Sequence, residues 1–444
     1  MTDTTSVLGY AWPMVVSPGE EVAFHLSSPS VSKAEAALVR VRCGDPDPAG
    51  PGIRVHEMEV PFERTVSLAH QVIRPGSCAI VADAPALTSF QSFTVGAFIW
   101  PTMPGDRAQT ILSRWREDTQ EGWRLGLDAG GHLEFVVAAG GRTWRVATGT
   151  ALLSREWVLA GASWDAKAGR LAVMVRSADA QAGRDRSECV EAAGPTELEW
   201  PAAVPLVIAA QASDGSGQLF DGFYDGKIDR PRLHASVQPI DGLHRLCESV
   251  NFPMADARLI AAWDFSREMA SESVTDLSAH HLHGRLRQMP TRGMTGANWD
   301  GSTDRWTDCP EQYGAIHFHS DDMADAAWEP TLRFTVPAEW RSGFYALRLR
   351  AEAGDEPVES FVGFFVRAEL GKPRSKLAFV ASTGTFLAYA NSALRLDQVH
   401  AEAMLEGVLT LSRDDVYIQE HREVGLSTYD THADGSGWSI SSAR

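Results

Sequence analysis

The stretch REWVLAGASWDAKAGRLAVMV, residues 155–175, decides the fold of this chain. Apolar side chains alternate with small or polar ones on both sides of a turn that begins at Asp165. This alternation is the period of a β-strand, in which successive side chains point to opposite faces of a sheet. The stretch therefore predicts two strands joined by a turn.

The same alternation recurs over most of the first 300 residues. EVAFHL (21–26) and HLEFVV (132–137) show it, and segments rich in Gly, Pro and Asp separate such runs. Convincing amphipathic helices are scarce in this part of the chain. We therefore expect a mainly β architecture.

The order of segments between residues 86 and 299 is that of a known fold. SFTVGAFIWP, GWRLGLDAGGHLEFVV, the stretch at 155–175, FDGFYDGKIDRPRLH and LIAAWDFS follow one another. This order resembles the laminin-G-like or concanavalin-type jelly roll. The resemblance implies a fold for this segment and leaves its function open.

Strand patterns also flank this jelly roll. SPGEEVAFHLSS (17–28) on one side and PTLRFTVPAEWRSGFYALRLRAE (330–352) on the other are turn-bounded alternating segments. We expect residues 1–85 and 300–370 to pair in one Ig-like β-sandwich, with the jelly roll inserted between them.

The pattern changes over residues 371–444. LAFVA (377–381) is a continuous apolar run, as in a strand that is buried on both faces. Helical spacing follows at 393–409, and EVGLSTYD (423–430) is typical of a second strand that enters a loop. The order strand, helix, strand predicts the first part of an α/β domain with its functional loops at the carboxyl ends of the strands.

Composition narrows the class of protein. The chain has 444 residues and a net charge of -18, which would repel nucleic acid and anionic membrane surfaces. Five scattered cysteines without CxxC spacing favour neither a disulfide framework nor a zinc site. The sequence also shows no secretory signal, so we expect a cytoplasmic protein.

Two tyrosines occupy equivalent places in this last segment. Tyr389 and Tyr429 each follow a predicted buried strand, in loops expected at one edge of the sheet. Phenolate oxygen is a hard ligand that suits ferric iron, although the charge of the metal is needed to deprotonate a phenol. The alternative is a pair of packed tyrosines with hydrogen-bonded hydroxyl groups.

A family resemblance bears on this choice. The segments from EQYGAIHFHSDD (311–322) through KLAFVASTGTFLAYANSAL (376–394) to GLSTYDTHADGSGWSISS (425–442) resemble the large (beta) subunit of N,N-dimethylformamidase. In that family an α/β domain resembling glutamine amidotransferases holds one iron ion through two tyrosines and one glutamate. The matching tyrosines are Tyr389 and Tyr429. In that family the glutamate lies in a later segment, which has no counterpart in the present sequence.

The resemblance implies an amidohydrolase with a mononuclear iron, expected as Fe(III), that hydrolyses N-substituted amides such as N,N-dimethylformamide. A second polypeptide is expected to complete the α/β domain and supply the glutamate. A small helical subunit and an oligomeric assembly are also implied. His432 and Asp434, close after Tyr429, are candidates for orienting a ligand or water.

Two alternatives remain open at this point. The chain could be a lectin-like carbohydrate-binding or structural β-sandwich protein without catalysis. In addition, HFHSDD (317–322) would place His317 and His319 on one face of a strand, which is compatible with a metal site but more typical of a solvated strand end.

Overall fold

A computed structural model describes residues 7–45, 49–178, 186–198, 200–201, 203–248, 256–353, 356–372, 375–392 and 413–439. The chain divides into two compact units. The first comprises Met1–Arg74, Met323–Thr431 and Gly437–Arg444, and the second comprises Pro75–Asp322 and His432–Ser436.

Among its described residues, the first unit has nine strands from distant parts of the chain. They are β1 (Leu8–Trp12), β2 (Val15–Val16), β3 (Glu21–Ser27), β4 (Lys33–Gly44), β5 (Ile53–Glu57), β6 (Thr65–Ser67), β25 (Leu332–Thr335), β26 (Gly343–Ala353) and β27 (Glu356–Val366). One sheet has the order β1-β3-β25, and the other has the order β2-β27-β26-β4-β5 with β6 on β4.

The two sheets of this unit share one apolar core. In the larger sheet Leu38 of β4 lies opposite Leu347 of β26, so residues more than 300 positions apart are neighbours in one ladder. Phe24 from the smaller sheet meets Phe364 from the larger one edge to face, with ring centroids 5.6 Å apart. Their packing closes a β-sandwich from the two flanks of the sequence.

The part of the second unit that the structure describes has eighteen strands. They are β7 (Cys78–Val81), β8 (Phe93–Pro101), β9 (Gln109–Arg116), β10 (Glu121–Leu127), β11 (His132–Ala139), β12 (Arg142–Ala151), β13 (Val158–Asp165), β14 (Arg170–Ser177), β15 (Ser187–Ala193), β16 (Leu206–Ile208), β17 (Gln211–Ala212), β18 (Phe220–Asp221), β19 (Gly226–His234), β20 (Leu259–Asp264), β21 (Ser273–Asp276), β22 (Gly284–Arg287), β23 (Thr291–Met294) and β24 (Ala315–Phe318).

These strands form two antiparallel layers that are linked at one end. One layer runs β12-β11-β10-β9-β16-β7-β22-β21, and the other runs β15-β14-β13-β8-β19, where β19 pairs with both β20 and β24. A pairing between β20 and β21 joins the layers. This is the jelly roll that the order of segments predicts.

The quoted stretch at 155–175 supplies a hairpin in the middle of this unit. Strands β13 and β14 pair in register from Val158 with Ser177 to Asp165 with Arg170, which confirms the predicted turn. Inside the jelly roll the ring of Phe93 packs on Trp123 and Trp164, with centroids 5.2 and 6.0 Å away. Burial of these aromatic rings contributes to the stability of the unit.

A short helix covers the outer face of β8 and β13. Helix α1 (Ile240–Glu248) buries Leu243 against the two strands at a place where Gly96 and Gly161 lie opposite each other. Because neither glycine has a side chain, the helix approaches the sheet closely there.

Residues 371–439 differ from the expected strand, helix, strand order. LAFVA is not a strand: Leu377 and Phe379 are each 90% exposed, and Val380 is 85% exposed. No strand pairs with it among the described residues, and an unpaired run cannot satisfy its backbone groups as a sheet does. The prediction of a buried strand at 377–381 is therefore wrong.

The elements that the structure describes in this region are short helices. Helix α2 (Thr383–Tyr389) and helix α3 (Arg413–Glu420) are followed by a 3-10 turn at Arg422–Val424, where a second strand was expected. The predicted helix at 393–409 lies outside the described residues. The α/β domain as a whole stays a prediction.

Two further expectations concern the chain as a whole. All five cysteines belong to the described residues, and each is a free thiol. Within the described part of the chain no helix combines the length and apolar character that a membrane crossing requires.

Candidate functional site

The structure brings Tyr389 and Tyr429 together within the first unit. Tyr389 is the last residue of α2, and Tyr429 lies in the turn that follows the 3-10 helix. Their rings stack with centroids 4.2 Å apart and planes inclined by 24°, and more than half of each side chain is exposed. Two residues that are 40 positions apart therefore present neighbouring phenol groups to one exposed surface.

Backbone contacts hold this pair in place. The backbone N–H and the hydroxyl of Thr428 both donate to the carbonyl of Ala388, each at 3.1 Å. The side chain of Asn391 donates to the carbonyl of Val424 at 3.1 Å. These bonds tie the end of α2 to the turn, so the tyrosines do not depend on ring stacking alone to stay adjacent.

The Tyr429 turn is also braced from within. Oδ2 of Asp430 accepts hydrogen bonds from the backbone N–H and the hydroxyl of Ser427, at 3.1 and 2.8 Å. The Ser427 hydroxyl accepts in turn from the backbone N–H of Tyr429 at 3.2 Å. Much of the polar content of GLSTYD therefore satisfies the loop backbone and orients Tyr429.

The two phenols influence each other electrostatically. A hydrogen-bonding interaction with Tyr389, followed by the charge of that group, raises the pKa of Tyr429. A raised pKa means that the neutral phenol is the favoured form when no cation is present. The pair supplies two of the hard oxygen donors that ferric iron prefers, and it fits that metal only if the metal displaces the phenol proton.

The other two predicted site residues, His432 and Asp434, lie in the second unit. They face β24 and the HSDD turn that follows it. His432 Nδ1 lies 2.6 Å from Oδ1 of Asp321, whose Oδ2 accepts from the backbone N–H of Ala433 at 2.9 Å. The His432 ring stacks on His319 with a centroid separation of 3.6 Å.

Asp434 contacts two histidines, His317 on β24 and His319 directly after that strand. Its Oδ2 lies 3.3 Å from Nε2 of His317 and 3.7 Å from Nε2 of His319. Its Oδ1 accepts from the Ser436 hydroxyl at 2.6 Å, and that hydroxyl also lies 3.0 Å from Nε2 of His319. Three histidines and three aspartates thus form one group, which we call the His/Asp cluster: His317, His319, Asp321, Asp322, His432 and Asp434.

Burial makes the cluster electrostatically unusual. Desolvation is the main reason that the pKa of His317 falls to about 4. Burial acts in the same direction on His319, but the carboxylates of Asp322, Asp434 and Asp321 together outweigh it and raise the pKa of His319. Burial works to raise the pKa of Asp434, yet the His317 imidazole and the hydrogen bonds from Ser436 hold it well below its usual range.

The expectation of a solvated strand end at HFHSDD is wrong. His317, His319 and Asp322 are all buried, and Asp434 and His432 contact them. The sequence signal for this cluster was the spacing of His317 and His319 on one strand face, together with the later element His432-Ala433-Asp434. Nothing in the local sequence indicates that these two segments meet. The role of His432 and Asp434 in orienting a ligand or water stays a prediction.

Comparisons with known proteins connect this geometry to a family. Residues 291–444 match the family model described as N,N-dimethylformamidase beta subunit-like, C-terminal. The N,N-dimethylformamidase beta subunit of Paracoccus aminophilus is 32% identical over a 461-residue alignment that covers 99% of this chain and 59% of that protein. The chain is similar to N,N-dimethylformamidase beta subunits along almost its whole length. A second beta subunit, from an Alcaligenes species, is 31% identical with the same coverage.

The chain spans about six tenths of the length of these curated dimethylformamidase beta subunits. Residues 76–237 match the model of the concanavalin A-like lectin/glucanases superfamily, which confirms the predicted jelly roll. Among solved structures, a putative carbohydrate-binding protein from Bacteroides ovatus shows 14% identity and a TM-score of 0.35, covering 64% of this chain and 92% of that one. A pentraxin from Limulus polyphemus shows 12% identity and a TM-score of 0.27, covering 48% and 80%.

Proposed function

We propose that this chain is part of an iron-dependent amidohydrolase that acts on small N-substituted amides such as N,N-dimethylformamide. The single observation that supports this most directly is the adjacency of the Tyr389 and Tyr429 rings, 4.2 Å apart, in a chain whose curated homologues are N,N-dimethylformamidase beta subunits. The reaction would add water across the C–N bond and release an amine and a carboxylate.

In this proposal Tyr389 and Tyr429 supply two phenolate oxygens to one ferric ion. The ion would act as a Lewis acid towards the amide carbonyl or a bound water. Thr428 and Ser427 keep the two phenols adjacent through their bonds to Ala388 and within the turn. Because the nitrogen of an N,N-dialkylamide carries no N–H, we expect an apolar pocket wall beside it, which would favour such amides over primary amides, whose N–H groups it would leave unmatched.

The proposed assembly contains further polypeptide. Two tyrosines leave the coordination of iron incomplete, and the remaining donor, a glutamate, would come from outside this chain. The exposed side chains of Leu377, Phe379 and Val380 support this, because a contiguous apolar run of this kind in water is typical of an interaction surface. We place the assembly, including a small helical subunit, in the cytoplasm.

The test compares tyrosine-to-phenylalanine substitutions in the assembled protein, which is purified with its co-expressed subunits. Tyr389→Phe and Tyr429→Phe each remove one hydroxyl and keep the ring, and Tyr417→Phe is the matched control on α3, where the ring stacks on His421. We expect about one iron per chain, a visible tyrosinate-to-iron absorption band and amide hydrolysis in the wild type and the control.

Each site variant should weaken or shift the absorption band, because one of two tyrosinate donors is lost, and should lose more than about 100-fold of the activity, beyond the usual effect of removing an outer contact. Circular dichroism of each variant checks that the fold is kept. Full iron content, an unchanged band and unchanged turnover in both variants would overturn the proposal. Glycan binding by a protein free of iron would support the lectin-like alternative instead.

A further inference from the structure

A second metal centre is suggested by the geometry at the end of β24. His317 is on that strand, and His319 follows it two positions later, so both imidazoles face the same side of the sheet. Asp434 arrives from a segment more than 100 positions later in the sequence and presents a carboxylate to both rings. All three residues belong to the second unit, whereas Tyr389 and Tyr429 belong to the first.

The distances between the donor atoms match the coordination sphere of a small ion. Tetrahedral zinc with bonds of about 2.0–2.2 Å to nitrogen and oxygen places its donors about 3.3–3.5 Å apart. Oδ2 of Asp434 lies 3.3 Å from Nε2 of His317 and 3.7 Å from Nε2 of His319. The three donor atoms all lie within 4.8 Å of one another.

Two of these donor atoms lack a hydrogen bond. Among the described residues, neither Nε2 of His317 nor Oδ2 of Asp434 has a hydrogen-bond partner. They lie 3.3 Å from each other, which is an ion-pair distance, and neither has a hydrogen bond that would satisfy it fully. His317 is 4% exposed and the Asp434 side chain 1%, so neither atom is compensated by bulk water. Unpaired buried polar atoms are rare and destabilising, and two that face the same point indicate a cation between them.

The outer contacts are those that orient metal ligands. Nδ1 of His319 lies 3.3 Å from Oδ2 of Asp322, which also accepts from the Ser77 hydroxyl at 2.6 Å. A carboxylate on the far nitrogen of a ligating imidazole sets its tautomer and raises its basicity. The Ser436 hydroxyl holds the other oxygen of Asp434 at 2.6 Å. Metal binding would displace only the contact between this hydroxyl and Nε2 of His319.

We propose that His317, His319 and Asp434 bind a Zn²⁺ ion that fastens the segment His432–Ser436 to β24. Two imidazoles and one carboxylate suit zinc, whereas calcium and magnesium prefer sites built from oxygen donors alone. A second candidate triad is His319, Asp322 and His432. It is disfavoured because Nδ1 of His432 is engaged with Asp321 and Oδ2 of Asp322 accepts from Ser77, so these two atoms already have partners.

The experiment separates this site from the iron site by using the Tyr389→Phe/Tyr429→Phe double variant as the parent protein. After chelation, the parent is titrated with Zn²⁺ by calorimetry and with Co²⁺ by visible spectroscopy. We expect one ion per chain, a tetrahedral Co²⁺ band that Zn²⁺ abolishes, and a higher unfolding temperature with Zn²⁺. The result does not depend on amide hydrolysis, so it stands or falls independently of the proposed function.

Substitutions then identify the donors. His317→Gln and Asp434→Asn should each weaken Zn²⁺ binding by more than about 100-fold, and Ser436→Ala by about 10-fold. His280→Gln, which changes an exposed histidine of the same unit, is the matched control and should bind as the parent does. Circular dichroism excludes unfolded variants, and the metal stoichiometry of the parent is decisive by itself. Absence of Zn²⁺ binding by the parent, or binding that survives both substitutions or follows His432→Gln instead, would overturn the proposal.

Discussion

The close approach of helix α1 to the jelly roll makes a quantitative prediction. A Cβ atom added at Gly161 would lie 2.0 Å from Cδ2 of Leu243 and 3.2 Å from the carbonyl oxygen of Val95. A methyl group needs almost twice the first distance, so Gly161→Ala must push the helix or the Leu243 side chain outward. Overpacking of this kind typically destabilises a protein by about 1–3 kcal/mol.

A smaller effect opposes this loss. Alanine is favoured over glycine within a strand by about 0.5–1 kcal/mol, because it has less backbone entropy to lose on folding. Together these two ranges give a net destabilisation of about 0–2.5 kcal/mol for Gly161→Ala. For a unit of this size, that corresponds to a fall of up to roughly 10 °C in the unfolding midpoint of the jelly roll.

A double-mutant cycle tests the cause by urea unfolding followed through tryptophan fluorescence. Leu243→Ala removes the obstructing atom, so in that background Gly161→Ala should cost less than about 0.5 kcal/mol or should stabilise the protein. Gly149→Ala is the control, since its new methyl group meets only the Glu188 side chain, at 3.2 Å. An equal cost of Gly161→Ala with and without the Leu243 side chain would refute the steric explanation.

Two further predictions concern association and pH. Phe379→Asp should abolish co-purification of the polypeptide that completes the assembly, whereas Leu370→Asp, at another exposed apolar position, should not. Size-exclusion chromatography measures this, and equal retention of the partner polypeptide in both variants would contradict the proposed interaction surface. Backbone hydrogen bonding from Arg258 is the main reason that the pKa of Asp256 falls to about 2. Because a lowered carboxyl pKa stabilises the folded state above about pH 4 and this contribution disappears as the pH falls through 2, Asp256→Asn should destabilise the protein at pH 6 and have little effect near pH 2. Denaturation midpoints at the two pH values measure this, and an equal effect at both would exclude the linkage.

Local sequence patterns predicted the jelly roll because its determinants are local. Alternation on both sides of the turn at Asp165 specifies two strands and their inward faces. A shift of the strand register by one residue would turn the apolar side chains out to solvent. The same reasoning failed at 377–381. An apolar run is compatible with a buried strand, a helix or a docking surface, and only the presence or absence of a pairing partner distinguishes them.

The candidate sites divide in a similar way. The adjacency of Tyr389 and Tyr429 could be predicted from the motifs around them. The structure places Tyr389 at the end of a helix, however, rather than in a loop after a strand. The predicted roles of His432 and Asp434 rested on their nearness to Tyr429 in sequence. Their actual neighbours are His317, His319 and Asp321, which the motif does not contain.

By itself, the sequence determined the β-rich class, the strand faces and the identity of the chemically capable side chains, because these depend on periodicity and residue type over short windows. Only the tertiary structure decided which of those side chains meet. The contact between β24 and the segment His432–Ser436 joins residues more than 100 positions apart, and it depends on the packing of the whole jelly roll rather than on any local preference. Burial of the histidines and aspartates, and the metal chemistry inferred from it, follow from that non-local contact.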